Sequence, residues 1–186
     1  KYLLFWLIKC SMAEDKILAN LMSNNVTAEM SNLASESYKK GRYGELKGKK
    51  YVYSLLEALY LVEREKMVVS SGKKIIDFDS FMKKAEKAEK GFWVRYCVFR
   101  DLRDRGYIVK TALKFGADFR VYDKGVKPGE DHAKWVVYPV YETDVMTWYD
   151  FSAKNRVAHS TKKSLLIAII DHEGDVTYYD VRWTRP

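Results

Sequence analysis

Hydrophobic spacing along the chain alternates between helical and strand periods, and capping residues mark several of the changeovers. Ser54-Leu-Leu-Glu57 has the form of a capping box, so a helix is predicted from Ser54 to about Arg64, apolar at Leu55, Leu56, Leu59 and Val62. Met67 to Ser70 is β-branched and short, Ser71-Gly72 is a turn, and Ile75-Ile76 resumes before a cap at Asp77 or Asp79. A second helix is expected from Phe78 to Lys90, with Phe81, Met82, Ala85 and Ala88 on one face, closed by Gly91. An aromatic helix, Phe92 to Arg105, follows and ends at Gly106. Tyr107 to Thr111, Ala117 to Tyr122 and Trp135 to Tyr141 alternate as strands, with a Gly/Pro-containing loop from Asp123 to Asp131 between the last two. Ser152 to Lys162 reads as a short helix. Leu165 to Ile170 is an unbroken apolar run bounded by charge, the pattern of a buried strand. Asp171 to Asp175 turns the chain, and Val176 to Trp183 alternates as its hairpin partner. The expected fold class is α+β. A small N-terminal α+β domain over residues 1–90 precedes a C-terminal domain over 91–186, whose mixed sheet is flanked by helices.

Composition narrows the function classes. The 186 residues are 47% hydrophobic and 31% charged, which supports a buried core and excludes disordered and collagen-like chains. Tyr2 to Ile8 is too short to span a bilayer, for which about 20 apolar residues are needed, and Lys9, Glu14 and Asp15 follow too closely for a signal peptide. Cys10 and Cys97 cannot form a disulfide framework. These features point to a cytoplasmic protein without membrane association; the true start is open, Met12 included. The net charge of +8 favours a polyanionic partner. Its densest part is Lys39, Lys40, Arg42, Lys47, Lys49 and Lys50 against the single Glu45, which reads either as a binding surface or as a solvated turn.

Metal and phosphate-loop motifs are weak. His159 and His172 have no second ligand at suitable spacing, Glu45-Leu46-Lys47 is only the tail of a metal-nuclease motif, and the glycines are scattered. Cleavage of RNA can proceed without metal, because the adjacent 2′-hydroxyl is already the nucleophile. It requires a base, an acid and a cation for the charge that develops on phosphorus. Histidine suits the acid, with a reference pKa of about 6.5. His132, in the loop between two strands, is the candidate on these grounds; a structural or idle loop histidine is the competing reading.

The segment Arg105-Gly-Tyr-Ile-Val-Lys-Thr-Ala-Leu-Lys-Phe-Gly-Ala-Asp-Phe-Arg-Val-Tyr122, then His132, then Arg156-Val-Ala-His-Ser-Thr-Lys-Lys-Ser-Leu-Leu-Ile-Ala168 resembles the archaeal tRNA-splicing endonuclease family. Tyr38-Lys-Lys-Gly-Arg-Tyr-Gly-Glu45 and Leu56-Glu-Ala-Leu-Tyr-Leu-Val62 extend the resemblance over roughly residues 30–186. It implies a metal-independent, cofactor-free endonuclease that cuts precursor tRNA at bulge-helix-bulge junctions and leaves a 2′,3′-cyclic phosphate and a 5′-hydroxyl. It also implies Tyr122 as general base, His132 as general acid and Lys163, in preference to Lys162, as the stabilising cation. Arg156 matches an arginine that stacks on a flipped bulge base, and Arg182 is a weak match for a second one. Asp171, Glu173 and Asp175 resemble an acidic docking loop that enters a basic groove of a neighbouring subunit, while the last strand pairs subunits side by side. A homotetramer, or a heterotetramer with a non-catalytic homologous subunit, is the implied assembly. A non-catalytic subunit, an RNA- or DNA-binding module and, weakest, a metal-dependent nuclease are the alternatives.

Overall fold

In a computed structural model of the protein, residues 15–112, 116–126 and 132–184 are described. The apolar run Tyr2 to Ile8, Cys10, Met12 and part of the loop before His132 lie outside them. The chain divides into two units, Lys1–Phe92 and Trp93–Pro186. Five helices and eleven strands among the described residues form two mixed sheets, an α+β architecture.

The first unit is built in the order β1 (Ile17–Leu21), β2 (Val26–Glu29), α1 (Asn32–Gly41), β3 (Glu45–Lys47), β4 (Lys50–Tyr53), α2 (Leu55–Glu63), β5 (Met67–Ser71), β6 (Lys74–Ile76) and α3 (Phe78–Ala88). Its sheet runs β3-β4-β2-β1-β5-β6, with β1 and β5 parallel and every other pair antiparallel. Strands β1 and β2 lie before the start of the resemblance, where the hydrophobic pattern predicts no element. Their signal is a five-residue alternation with Ile17 and Ala19 buried, turned by the Asn25 carbonyl accepting from the Met22 N–H at 2.8 Å. The capping box of α2 is complete: Ser54 Oγ accepts from the Glu57 N–H, and the Glu57 carboxylate accepts from the Ser54 N–H. Asp77, not Asp79, caps α3, which ends at Ala88 and leaves Ala88 exposed.

The second unit contains α4 (Phe92–Asp104) from its second residue onward, then β7 (Ile108–Thr111), β8 (Phe119–Tyr122), β9 (Trp135–Tyr141), α5 (Trp148–Ser160), β10 (Ser164–Ile170) and β11 (Val176–Val181). The sheet order is β11-β10-β9-β8-β7, and only β9 and β10 are parallel, the pair that α5 connects. Leu165, Ala168 and Ile170 of β10, an interior strand, are fully buried, as an unbroken apolar run requires. Helix α4 packs on one face, where Phe99 meets Phe119 and Tyr178 donates to Asp101 at 2.7 Å. Helix α5 covers the other, with Ala158 and Phe151 on Val136, Tyr138, Leu165 and Ile167.

Helix α5 begins four residues before the expected Ser152. Thr147 caps it by accepting from the Asp150 N–H, and the helix ends at Ser160, short of Lys162. The apolar period obscured this start because Trp148, at 83% exposure, does not face the core.

Candidate active site

Residue alternation along β8 sends Phe119 and Val121 toward α4, and therefore Arg120 and Tyr122 toward the α5 face. Tyr122 ends the strand with 6% of its surface exposed. At this end Lys134 ties three strands together: its N–H donates to the Val121 carbonyl at 2.9 Å, and its carbonyl accepts from the Ser164 N–H at 3.1 Å. The C-terminal end of β8 and the N-terminal ends of β9 and β10 therefore meet at one end of the sheet. Neighbouring strands are about 4.8 Å apart, so Tyr122 and Lys163 flank the start of β9 across about 10 Å, and exposed His132 enters two residues before Lys134.

Lys163 closes the connection from α5. Its N–H donates to the Ala158 carbonyl at 2.9 Å, and its ammonium donates to the Thr161 carbonyl at 2.8 Å. Burial, and then the charge of Arg120, hold this amine below the ordinary lysine range. Lys162 takes the left-handed conformation, φ 56°, that turns the chain, and its side chain is exposed. Tyr138 and Tyr178 are unsuited as bases: burial first, then Asp118 or Asp101, pushes each phenol above its ordinary value.

Arg156 is exposed on α5, three residues before His159, and so on the same side of the helix. The His159 ring lies 4.9 Å from that of Trp183, which is 55% exposed. Trp183 was not among the expected residues. Its signal is the alternation Tyr179, Val181, Trp183, which continues toward α5 past the end of β11. Arg182 instead pairs with Asp180 at 3.0 Å.

The turn after β10 is held from inside. Asp171 Oδ1 accepts from the N–H groups of Glu173 and Asp175, both at 2.9 Å, and the Glu142 carboxylate accepts from the His172 N–H at 3.0 Å. Glu173 and Asp175 are exposed, whereas Asp171 is spent on the turn. In the basic stretch of the first unit, Lys40, Lys47 and Lys50 pair with Glu36, Glu45 and Glu29, so three of its six cations are engaged by carboxylates.

Comparison with known proteins identifies the family. The profile of the tRNA intron endonuclease catalytic C-terminal domain matches residues 92–178, and that of the tRNA intron endonuclease N-terminal domain matches residues 17–82. The chain belongs to the tRNA intron endonuclease family. It is similar to the tRNA-splicing endonuclease of Pyrococcus furiosus, 41% identical over 165 residues, covering 89% of this chain and 95% of that protein. The tRNA-splicing endonuclease of Methanothermobacter thermautotrophicus is 40% identical, covering 87% and 94%, and that of Nanoarchaeum equitans is 42% identical, covering 71% and 88%. The chain is thus an enzyme of the tRNA intron endonuclease family and carries the catalytic domain of that family, within which Tyr122, His132, Arg156 and Lys163 all fall. The N-terminal family match begins at residue 17, which brings β1 and β2 into a domain that the resemblance had started near residue 30. No helix among the described residues is long and apolar enough to cross a membrane.

Proposed function

We propose that this chain excises introns from precursor tRNA by cutting bulge-helix-bulge junctions without a metal ion or cofactor. Tyr122 removes the proton of the 2′-hydroxyl, and O2′ attacks the adjacent phosphorus. As the P–O5′ bond breaks, His132 donates a proton to the departing oxygen. Lys163 offsets the negative charge that grows on the pentacoordinate phosphorus. The products are a 2′,3′-cyclic phosphate and a 5′-hydroxyl. The observation that carries this reading is the pair of Lys134 hydrogen bonds joining Val121 and Ser164, which brings the tyrosine, histidine and lysine positions to one end of one sheet.

Arg156 stacks on a flipped bulge base through its guanidinium plane, and the exposed Trp183 ring is the second stacking surface, in preference to Arg182 with its Asp180 partner. Assembly is a tetramer. Glu173 and Asp175 dock into a basic groove of a second subunit, and the edge strand β11 pairs with its counterpart. Exposed Tyr179, Trp148 and Val145 supply apolar surface for such a contact.

The test is to incubate the purified chain in excess EDTA with a bulged RNA and a continuous duplex of equal length, then analyse the product ends. Cutting of the bulged RNA alone, with a cyclic phosphate on the 5′ fragment, is expected. Binding without cutting under these conditions, with activity returning only on addition of a divalent metal, would overturn the metal-free chemistry.

A further inference from the structure

Helix α5 ends in a Schellman motif: the Lys163 N–H donates to the Ala158 carbonyl at 2.9 Å, and the Lys162 N–H donates to the His159 carbonyl at 3.0 Å. That closure requires a left-handed residue just past the cap Thr161, and Lys162 fills the position at φ 56°. Glycine takes this conformation at no steric cost, whereas the Cβ of a lysine is crowded there. The Lys162 side chain is exposed, and no carboxylate pairs with it among the described residues. Its charge suits the negative end of the helix dipole, a contribution that salt screens at an exposed site.

A second lysine is fixed at the same end of the sheet. Asp123 to Val126 is a turn closed by the Val126 N–H donating to the Asp123 carbonyl at 3.1 Å, with Gly125 left-handed at φ 81°. It sets exposed Lys124 two residues beyond Tyr122, with its ammonium 5.2 Å from the centre of the Tyr107 ring. The Asp123 carboxylate accepts from the Lys134 ammonium at 3.0 Å and from the Lys124 N–H at 2.9 Å, and the Lys124 ammonium forms no ion pair among the described residues.

Lys124 follows β8 and Lys162 precedes β10, so the start of β9 lies between them as it does between Tyr122 and Lys163. An RNA strand whose scissile phosphate sits at this place carries a further phosphate on each side of it. Arg156 and the His159–Trp183 pair stand within two turns before Lys162, so a strand leaving the stacking surface meets Lys162 next. Each phosphate that a lysine neutralises releases counterions and adds affinity that falls with salt.

We propose that Lys162 and Lys124 bind the two phosphates that flank the scissile one, Lys162 on the side of the flipped base and Lys124 on the other, and thereby fix the register of the RNA across the end of the sheet. The assignment rests on the catalytic reading of Tyr122, His132 and Lys163.

The full chain decides this with Lys162→Gly, Lys162→Arg, Lys124→Gln and the Gly/Gln double variant, with RNA affinity measured against salt concentration in the Tyr122→Phe background. The probes are a bulged RNA and two versions of it, each carrying a neutral methylphosphonate in place of the phosphate on one side of the cleavage point. Lys162→Gly is expected to raise the thermal midpoint, because it relieves the backbone, and to flatten the plot of log affinity against log salt by about 0.7. Lys124→Gln should flatten it by a similar amount and the double variant by about 1.4, whereas Lys162→Arg keeps the slope. Each methylphosphonate is expected to weaken binding by the wild-type pair of lysines by about tenfold and to cost the variant lacking the matching lysine nothing further. Wild-type slopes for Lys162→Gly and Lys124→Gln would overturn the proposal. Methylphosphonate losses that are the same with and without the lysines would do so too, and a flattened slope for one lysine alone removes the other from the assignment. Should Lys162→Gly lose stability, Lys162→Gln replaces it in both comparisons. Wild-type cleavage by Tyr122→Phe and Lys163→Met overturns the reading of the site and this proposal with it, whereas inactivity of those two beside wild-type slopes for the lysine variants overturns this proposal alone.

Discussion

In the proposed mechanism, Lys163 is the residue at which chemistry and stability pull in opposite directions. Burial disfavours its ammonium, and Arg120 adds repulsion, so the folded value lies below the ordinary 10.5. In the pH window below 10.5 the folded chain therefore binds fewer protons here than the unfolded chain, and stability rises as pH rises through that window. At neutral pH the retained charge is a cost. Lys163→Met is expected to raise the thermal midpoint while lowering cleavage by about 10²- to 10³-fold, a combination that calorimetry and single-turnover kinetics read independently. The same lowered value makes the Lys163 amine more reactive than that of exposed Lys162 near pH 8, measurable by peptide mass spectrometry after brief acylation. At the stacking surface, Trp183→Ala should weaken binding of a bulged RNA by about 1 to 3 kcal/mol and leave duplex binding unchanged.

At the scale of elements, one carboxylate organises the start of α2. Glu57 is only 7% exposed and accepts from the Ser54 N–H, the Ser54 hydroxyl and the Gly44 N–H, so the capping box also fastens the loop leading into β3. Glu57→Ala leaves these donors poorly satisfied and is expected to cost about 2 to 3 kcal/mol in a urea titration. Gly44 has little freedom to change: its φ is 71°, and a Cβ there would come within 2.9 Å of the Tyr53 ring. The Ser54 box was legible because both partners lie within one turn of a clear apolar period. Thr147 with Asp150 obeys the same chemistry but escaped notice, because exposed Trp148 and Tyr149 break the period that would have announced the helix. Thr147→Ala should cost about 1 kcal/mol. Strands β1 and β2 escaped for a related reason: four or five residues of alternation are too short to stand out before a sheet supplies their neighbours.

For the whole molecule, the acidic turn separates rigidity from charge. Asp171 is consumed by the N–H groups of Glu173 and Asp175, which leaves those two side chains for a neighbour. Reversing Glu173 and Asp175 to lysine is expected to dissociate the proposed tetramer in sedimentation velocity, and the defect should deepen at low salt, where like-charge repulsion is least screened. Asp171→Ala should weaken assembly by loosening the turn, with little dependence on salt. An unchanged mass for the double reversal would remove the acidic turn from the interface.

The amino-acid order determined by itself the identity of most elements, the α+β class and the residue types able to manage protons around a phosphate. Those features depend on neighbours a few positions apart: caps, alternation, and the glycines φ-positive at helix ends such as Gly106. Only the tertiary structure decided that Val121, Lys134 and Ser164 share consecutive hydrogen bonds, that Arg120 stands level with Val136 and Leu165, and that Trp183 rather than Arg182 stands against α5. Strand register sets all three, and a one-residue slip would turn each side chain to the opposite face. Register is decided by burial across the whole sheet, which no local window of sequence contains.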